Sequence, residues 1–176
     1  MVALTVAIIL VGMTTSIYNV FRKNITVQQN MAGLAQNARV VIDRLSRELR
    51  QSPVLVTNFP ADSTDNSVTQ PNQVEFEDGH AGDLSYRRYY ISGTILKLET
   101  KEYYFPAAPT VRVQWSATNV AAGLQSRVLS TVDVADQVAS IVGYDGGGVL
   151  NLTVTTTDGV NQNYPLRVTI QLRNLL

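Results

Sequence analysis

The chain has 176 residues, no cysteine, one histidine, and 14 cationic against 14 acidic side chains. The missing cysteines exclude disulfides, a thiol nucleophile and thiolate metal sites, and a lone histidine excludes a multi-histidine metal site. Zero net charge gives no bias toward nucleic acid, but residues 1–53 carry six cations and two acids, whereas residues 54–176 carry eight cations and twelve acids. This segregation reflects either ordinary variation or complementarity between neighbouring subunits.

The first 21 residues contain no charged side chain (MVALTVAIILVGMTTSIYNVF). A helix over this stretch is about 30 Å long, which matches the hydrocarbon core of a bilayer. We therefore expect a transmembrane helix over residues 1–21, closed by Arg22 and Lys23. Its hydroxyl residues make it only moderately apolar, so the helix can also leave lipid for a protein environment. A cleaved signal peptide is the alternative, but the segment lacks a basic start and its apolar run is long for one.

From residue 22 to residue 52 the pattern predicts an amphipathic continuation of the same helix. Its apolar side chains recur at steps of three and four, which places them on one helical face. They are Met31, Leu34, Ala35, Ala38, Val41, Ile42, Leu45 and Leu49. Two ion pairs are expected at a spacing of four residues, Asp43 with Arg47 and Arg44 with Glu48.

Residues 53–176 are predicted to form a β-rich globular head, because the period of the pattern falls to two after Pro53. Polar and turn-forming residues predict an exposed loop over 60–73. Residues 127–144 fit two strands or one strand and a short helix, and we favour two strands. The other predicted strands cover residues 54–59, 74–77, 84–92, 94–101, 110–116, 150–155 and 166–173.

These elements predict an α+β fold in which the amphipathic half of the long helix packs across an antiparallel sheet. The helix and the sheet each offer one apolar face, and packing them together buries both. Each large apolar side chain on the helix then contributes roughly 1.5–3 kcal/mol. The residues expected to join the helix to the head are Leu34, Val41, Ile42, Leu45 and Leu49.

Four stretches resemble type IV pilins and pseudopilins. MVALTVAIILVG (residues 1–12) resembles the segment just after the start of the mature pilin helix. GLAQNARVVIDRLSRELRQS (residues 33–52) resembles the rod of the W-type minor pilins and of the J-type pseudopilins of type II secretion. The hairpin over residues 89–98 and the closing VTIQLRN (residues 168–174) are similar to later strands of that group.

The resemblance implies a non-enzymatic filament subunit, a minor pilin or pseudopilin, whose partners are other such subunits. It implies a single-pass protein of the cytoplasmic membrane with an extracytoplasmic head, which later enters a cell-surface filament. No cofactor and no small-molecule substrate are expected. The residues expected to pack between neighbouring helices are Leu4, Ile8, Val11, Gly12, Thr15 and Phe21.

Several features of that family would lie upstream of Met1: the basic leader, the cleaved glycine, the methylated first residue and the early glutamate. If Met1 is instead the first residue, Thr5 stands where the family places its glutamate. Arg22 and Lys23 alone would place the C-terminal side in the cytoplasm by the positive-inside rule. The resemblance implies the reverse, and a basic leader before Met1 would reconcile the two.

Residues that could carry chemistry each have an ordinary structural explanation. His80 lies beside a turn, where an exposed loop histidine is the default. The acidic residues Glu75, Glu77, Asp78 and Asp83 could hold Ca²⁺, but they lack EF-hand spacing. The stretch from Asp145 to Gly148 could bind an ion through its carbonyls, although turn formation explains it. No nucleophile elbow, P-loop or dinucleotide fingerprint occurs, so an enzyme is not expected.

One stretch mixes cations and aromatic rings as single-strand nucleic-acid binders do. It comprises Tyr86, Arg87, Arg88, Tyr89 and Tyr90. Because neighbours in a strand point to opposite faces, the five side chains cannot form one surface, and nucleic-acid binding is not expected.

Two alternatives to a filament subunit remain: a monomeric membrane-tethered β domain that binds an extracytoplasmic ligand, and a tethered enzyme. Cysteines placed at Ile8 and Thr15 separate the first alternative from a filament. A filament subunit should cross-link unlike positions on different chains, whereas a tether should give only self-contacts or none. A tethered enzyme has only carboxylates for catalysis, and no convincing pair is visible.

Overall fold

The computed structural model describes residues 2–79, 82–118, 123–160 and 162–172, with side chains described from residue 10 onward. One helix, α1 (Val2–Gln51), occupies the N-terminal part and is continuous through Arg22 and Lys23, as predicted. At 1.5 Å per residue it is about 75 Å long. It ends where the amide of Ser52 bonds to the carbonyls of Glu48 and Leu49, directly before Pro53.

The head contains eight strands in the described residues. They are β1 (Gln73–Glu77), β2 (Tyr86–Ser92), β3 (Ile95–Phe105), β4 (Ala108–Val113), β5 (Gln125–Ala135), β6 (Val138–Asp145), β7 (Val149–Thr157) and β8 (Asn163–Gln171). All of their pairings are antiparallel. The predicted α+β class is therefore confirmed, and the ambiguous stretch forms two strands, β5 and β6, as favoured.

The strands form two sheets, whereas the sequence suggested one. The first sheet has the order β1-β2-β3, with β4 and β5 also pairing with β3, and the second has the order β6-β7-β8. The division falls between β5 and β6, where Gln137 adopts a positive φ of 60°. Periodicity identifies strands but not their partners, so the division was not visible in the pattern.

The predicted strand over 54–59 is reduced to a single β-bridge between Leu55 and Phe76. The amides of Val56 and Thr57 both bond to the carbonyl of Glu75, so the ladder stops after one step. Two prolines, Pro53 and Pro60, bound this segment and cannot donate to a ladder. The segment nevertheless covers the edge of β1 with main-chain hydrogen bonds.

The helix and the two sheets enclose one apolar core. Each of the three layers contributes fully buried side chains, such as Leu45 from α1, Leu96 from β3 and Leu152 from β7. The fit is tight near Gly143 of β6, where an added Cβ atom would lie 2.5 Å from the ring of Phe59. A long N-terminal helix packed on antiparallel sheets is a pilin-like architecture.

Candidate assembly surfaces

The N-terminal half of α1 stands outside its own head. Every residue from 10 to 30 is exposed. Nine of these are large apolar side chains whose exposure lies between 38% and 70%: Leu10, Val11, Met13, Ile17, Tyr18, Val20, Phe21, Ile25 and Val27. A monomeric soluble protein rarely exposes such a continuous apolar surface, so this surface is a candidate for covering by a partner or by lipid.

The small residues of this segment leave space on the helix surface, and its threonine hydroxyls make their hydrogen bonds within the helix. Gly12 has no atom near its missing Cβ position. The hydroxyls of Thr14 and Thr15 each donate to a carbonyl four residues earlier at 2.8 Å. Their hydrogen bonds are therefore made within the helix, and another helix can approach closely without leaving them unpaired.

Of the six residues predicted to pack between helices, Val11, Gly12, Thr15 and Phe21 lie on this exposed segment. The side chains of Leu4 and Ile8 lie outside the described residues. Within the part of the chain whose side chains are described, no helical stretch combines the length and apolarity needed to cross a bilayer.

The C-terminal half of α1 is held by the head. Leu34, Val41, Ile42, Leu45 and Leu49, the residues predicted to join the two, are all at most 6% exposed. Four of them belong to the same buried cluster as the sheet residues, while Leu34 accepts a hydrogen bond at its carbonyl from the hydroxyl of Thr156 on β7 at 3.0 Å. This half of the helix is thus an integral layer of the head.

A buried carboxylate also joins helix to head. Glu48, whose side chain is 10% exposed, accepts hydrogen bonds from Arg44 at 3.2 Å and from the hydroxyl of Tyr89 on β2 at 2.7 Å. Its Oε1 atom lies 3.0 Å from the guanidinium of Arg87, which also binds Asp78 at 2.8 Å. Burial, and then the hydrogen bond donated to Glu48, raise the pKa of the Tyr89 phenol.

Sequence reasoning missed this junction. It placed Arg44 and Glu48 in an exposed pair, and the pair is present, but Glu48 faces the head. No ion pair joins Asp43 to Arg47 in the described structure, where both are exposed. The available signal was position: Glu48 lies directly beside the buried Leu49 and three residues after Leu45, so it borders the apolar face.

On the opposite face of the first sheet, acids and cations are paired across strands. Glu75 of β1 binds the ammonium of Lys101 at 2.7 Å and accepts from the hydroxyl of Tyr103 at 2.5 Å. Burial, and then the bond to Glu75, raise the pKa of Tyr103. Glu102, which by alternation lies on the same face of β3 as Leu98, is 2% exposed and is held by Arg112 at 2.5 Å and by Arg127.

Three of the four candidate Ca²⁺ ligands lie in ion pairs with different cations. Glu75 binds Lys101, Asp78 binds Arg87, and Asp83 binds Arg112 at 3.0 Å. Within the described residues no group of three or more potential metal ligands comes together. His80 lies outside the described residues.

Asp145 has a local role. Its Oδ1 atom accepts from the amides of Gly147 and Gly148, which closes the turn between β6 and β7.

The mixed aromatic and basic stretch divides between two faces of β2. Arg87 and Tyr89 face the helix through Glu48. Arg88 faces the other way, binding Glu99 at 2.6 Å and lying 4.6 Å from the ring centre of Tyr90. Both arginines are therefore engaged within the chain, and the stretch does not form one surface.

Comparison with protein-family models gives no match for this chain, and comparison with curated proteins gives none either.

Proposed function

We propose that this protein is a structural subunit of a type IV pilus-like or type II secretion filament, of the W-type minor pilin or J-type pseudopilin kind. The observation that carries the proposal is the uncovered apolar half of α1, residues 10–30. Its resemblance to pilin sequences and the pilin-like architecture support the same conclusion. Before assembly, residues 1–21 hold the subunit in the cytoplasmic membrane with the head outside.

The exposed apolar side chains need to be covered both before and after assembly. The nine large ones are more than one third exposed, with an average near one half. At about 1.5–3 kcal/mol for each complete burial, leaving them in water costs on the order of 10 kcal/mol relative to full coverage. Lipid covers most of them before assembly, and lipid tails are as apolar as a neighbouring helix, so the assembled state must cover them equally well. A filament core does so by surrounding each helix with several neighbours.

The second half of the helix couples the position of the helix to the position of the head. Because Glu48 and the apolar layer fix the helix within the head, a helix placed in a filament core also fixes its head on the outside. The function thus depends on two packing faces of one helix, and no reactive residue is needed.

Cross-linking of the full chain tests this proposal. Because the chain lacks cysteine, introduced cysteines are unique. Val11→Cys and Phe21→Cys place thiols about 15 Å apart along the same helix. In cells with the assembly machinery, chains carrying one cysteine should cross-link to chains carrying the other, because neighbours in a filament are displaced along its axis.

A matched control places the thiol on the exposed head residue Ser130, which should not cross-link to the helix positions. Products joining only like positions, or the same products without the assembly machinery, would contradict a filament and favour a tethered binding module.

A further inference from the structure

The head uses nearly all of its own cations internally. Six cationic side chains of the head lie in ion pairs with acids: Arg87, Arg88, Lys97, Lys101, Arg112 and Arg127. On the helix the situation differs. Arg39, Arg47 and Arg50 are exposed and form no ion pair within the described residues. The unbalanced positive charge of the molecule therefore lies on α1.

Two of these arginines line a groove that we call the basic groove. It lies between residues 42–51 of α1 and Val168 of β8 and has a volume of about 320 Å³. Arg47 and Arg50 outweigh the single acid of the groove, Asp43. The hydroxyl oxygen of Ser46, which also lines the groove, is buried and has no hydrogen-bond partner in the described structure. A buried hydroxyl without a partner is costly and is available to an incoming polar group.

A second groove has the opposite charge, and we call it the acidic groove. Residues 60–70 and Tyr144 of β6 line it, and its volume is about 260 Å³. It contains the exposed Asp62 and the half-buried Asp65, and its lining includes no cation. Side-chain and backbone hydrogen bonds within the loop lower the pKa of both carboxyls, so they are ionised at neutral pH.

The loop that carries these acids is fixed to β6. The side-chain amide of Gln70 donates to the carbonyl of Gly143 at 2.9 Å and accepts from its amide at 3.3 Å. The amide of Asp145 also bonds to the carbonyl of Pro60 at 3.0 Å, which brings a third acid to this side. The acidic groove is therefore a built surface of fixed position.

The strand order places the two grooves at opposite edges of the second sheet. In the order β6-β7-β8, the acidic groove belongs to β6 and the basic groove to β8. Two different, complementary patches on opposite flanks allow a contact in which each copy meets the next head-to-tail. Such a heterologous contact generates a ring or an open helical array, and a filament is an open helical array.

We propose that the loop of residues 60–70, which carries the acids of the acidic groove, docks against the basic groove of a neighbouring copy, and that this contact sets the lateral register of the heads. Arg47 and Arg50 meet Asp62 and Asp65, and the hydroxyl of Ser46 gains a partner from the incoming loop. The inference rests on the proposed function, since it assumes that the helices bring the heads together. It adds which sides of the heads touch.

Directional cross-linking tests the contact in the full chain. One copy carries Gln51→Cys beside the basic groove, and the other carries Ser63→Cys beside the acidic groove; both positions are exposed. With a short bifunctional thiol reagent, products joining 51 to 63 should exceed those joining 51 to 51 or 63 to 63. The yield should fall in 1 M salt, where charge interactions reach only about 3 Å. Equal yields of all three products would overturn the proposal.

Charge reversal provides a sharper test. Arg47→Glu with Arg50→Glu makes the basic groove acidic. Asp62→Lys with Asn66→Lys and Thr69→Lys leaves three cations against Asp65 and so makes the acidic groove basic. Each variant alone should lose the 51-to-63 product by roughly tenfold or more, because like charges then face one another. A mixture of the two variants should recover it, since each reversed groove then meets its complement in the other variant. Failure of the mixture to recover would overturn the proposal.

Two controls keep the result interpretable. Arg39→Glu changes an exposed arginine on the same helix outside the groove, and it should leave the yield within about twofold. Cross-links between Val11→Cys and Phe21→Cys, followed in the same cells, report on the helix core. If those persist while the 51-to-63 product never forms, the lateral contact is wrong and the filament stands. If both are lost in the unreversed chain, the proposed function itself has failed.

Discussion

Replacing Glu48 by glutamine tests whether a buried charge fixes the helix to the head. The substitution keeps the shape of the side chain and an acceptor for Tyr89, but it removes the charge that faces Arg87. Removing one partner of a buried ion pair typically costs 3–5 kcal/mol. Here the guanidinium of Arg87 is 24% exposed and retains Asp78 as a partner, which reduces the cost. We therefore expect the free energy of unfolding to fall by about 2–3 kcal/mol.

The assay is urea denaturation of the full chain in mild detergent, followed by circular dichroism and by the fluorescence of the single tryptophan, Trp115. Asp43→Asn is the matched control, because it makes the same chemical change on the same helix at an exposed residue without an ion pair in the described structure. The control should change stability by no more than about 0.5 kcal/mol.

The reasoning is refuted if the two substitutions have equal effects. A double-mutant cycle adds a second criterion. Tyr89→Phe removes the hydroxyl that donates to Glu48, and it should be coupled to Glu48→Gln by at least about 0.5 kcal/mol. Additive effects would mean that the hydroxyl and the carboxylate do not act together.

Three further measurements follow from the structure. Leu45→Asp should separate helix from head by placing a charge in the core, seen as loss of the cooperative unfolding transition, whereas Leu45→Ala should cost about 2–5 kcal/mol and keep it; a cooperative Leu45→Asp variant would contradict this packing. Gly143→Ala should cost about 1–3 kcal/mol because its Cβ would lie 2.5 Å from a buried ring, while Gly146→Ala, whose nearest neighbour is at 3.8 Å, should be tolerated. Finally, the carboxyl of Asp62 should titrate by NMR below its ordinary pKa of 3.8, since donors in its loop favour the ionised form. The order of loop 60–70 should persist at neutral pH and be lost only as the pH falls through that lowered value; a midpoint at or above 3.8 would argue against those bonds.

The sequence was sufficient for features that depend on local period. The change from a uniformly apolar helix to one with a stripe identified α1 and the residues that now lie in the core, such as Val41 and Leu45. Alternation in steps of two identified the β2–β3 and β7–β8 hairpins to within a few residues. In both cases the side chains that define the pattern are neighbours in the chain.

Features that depend on distant contacts were not accessible in the same way. The burial of Glu48 is decided by Arg87 and Tyr89, about forty residues away, and periodicity alone does not give the width of the buried helical face. The acidic groove depends on the hydrogen bond between the side chain of Gln70 and the backbone of Gly143, which lies 73 residues further along the chain. The division into two sheets likewise depends on which strands pair, and alternation is the same for any partner.

Strand β5 has a consequence for how closely heads can be crowded. It is eleven residues long, pairs only with β3 within the described structure, and is exposed along residues 125–133. Its ladder with β3 is interrupted twice, because Leu129 and Val134 are each inserted as an extra residue. Such bulges bend and twist an edge strand, which disfavours main-chain pairing with a second chain. We therefore expect this edge to resist aggregation when copies are held at high density.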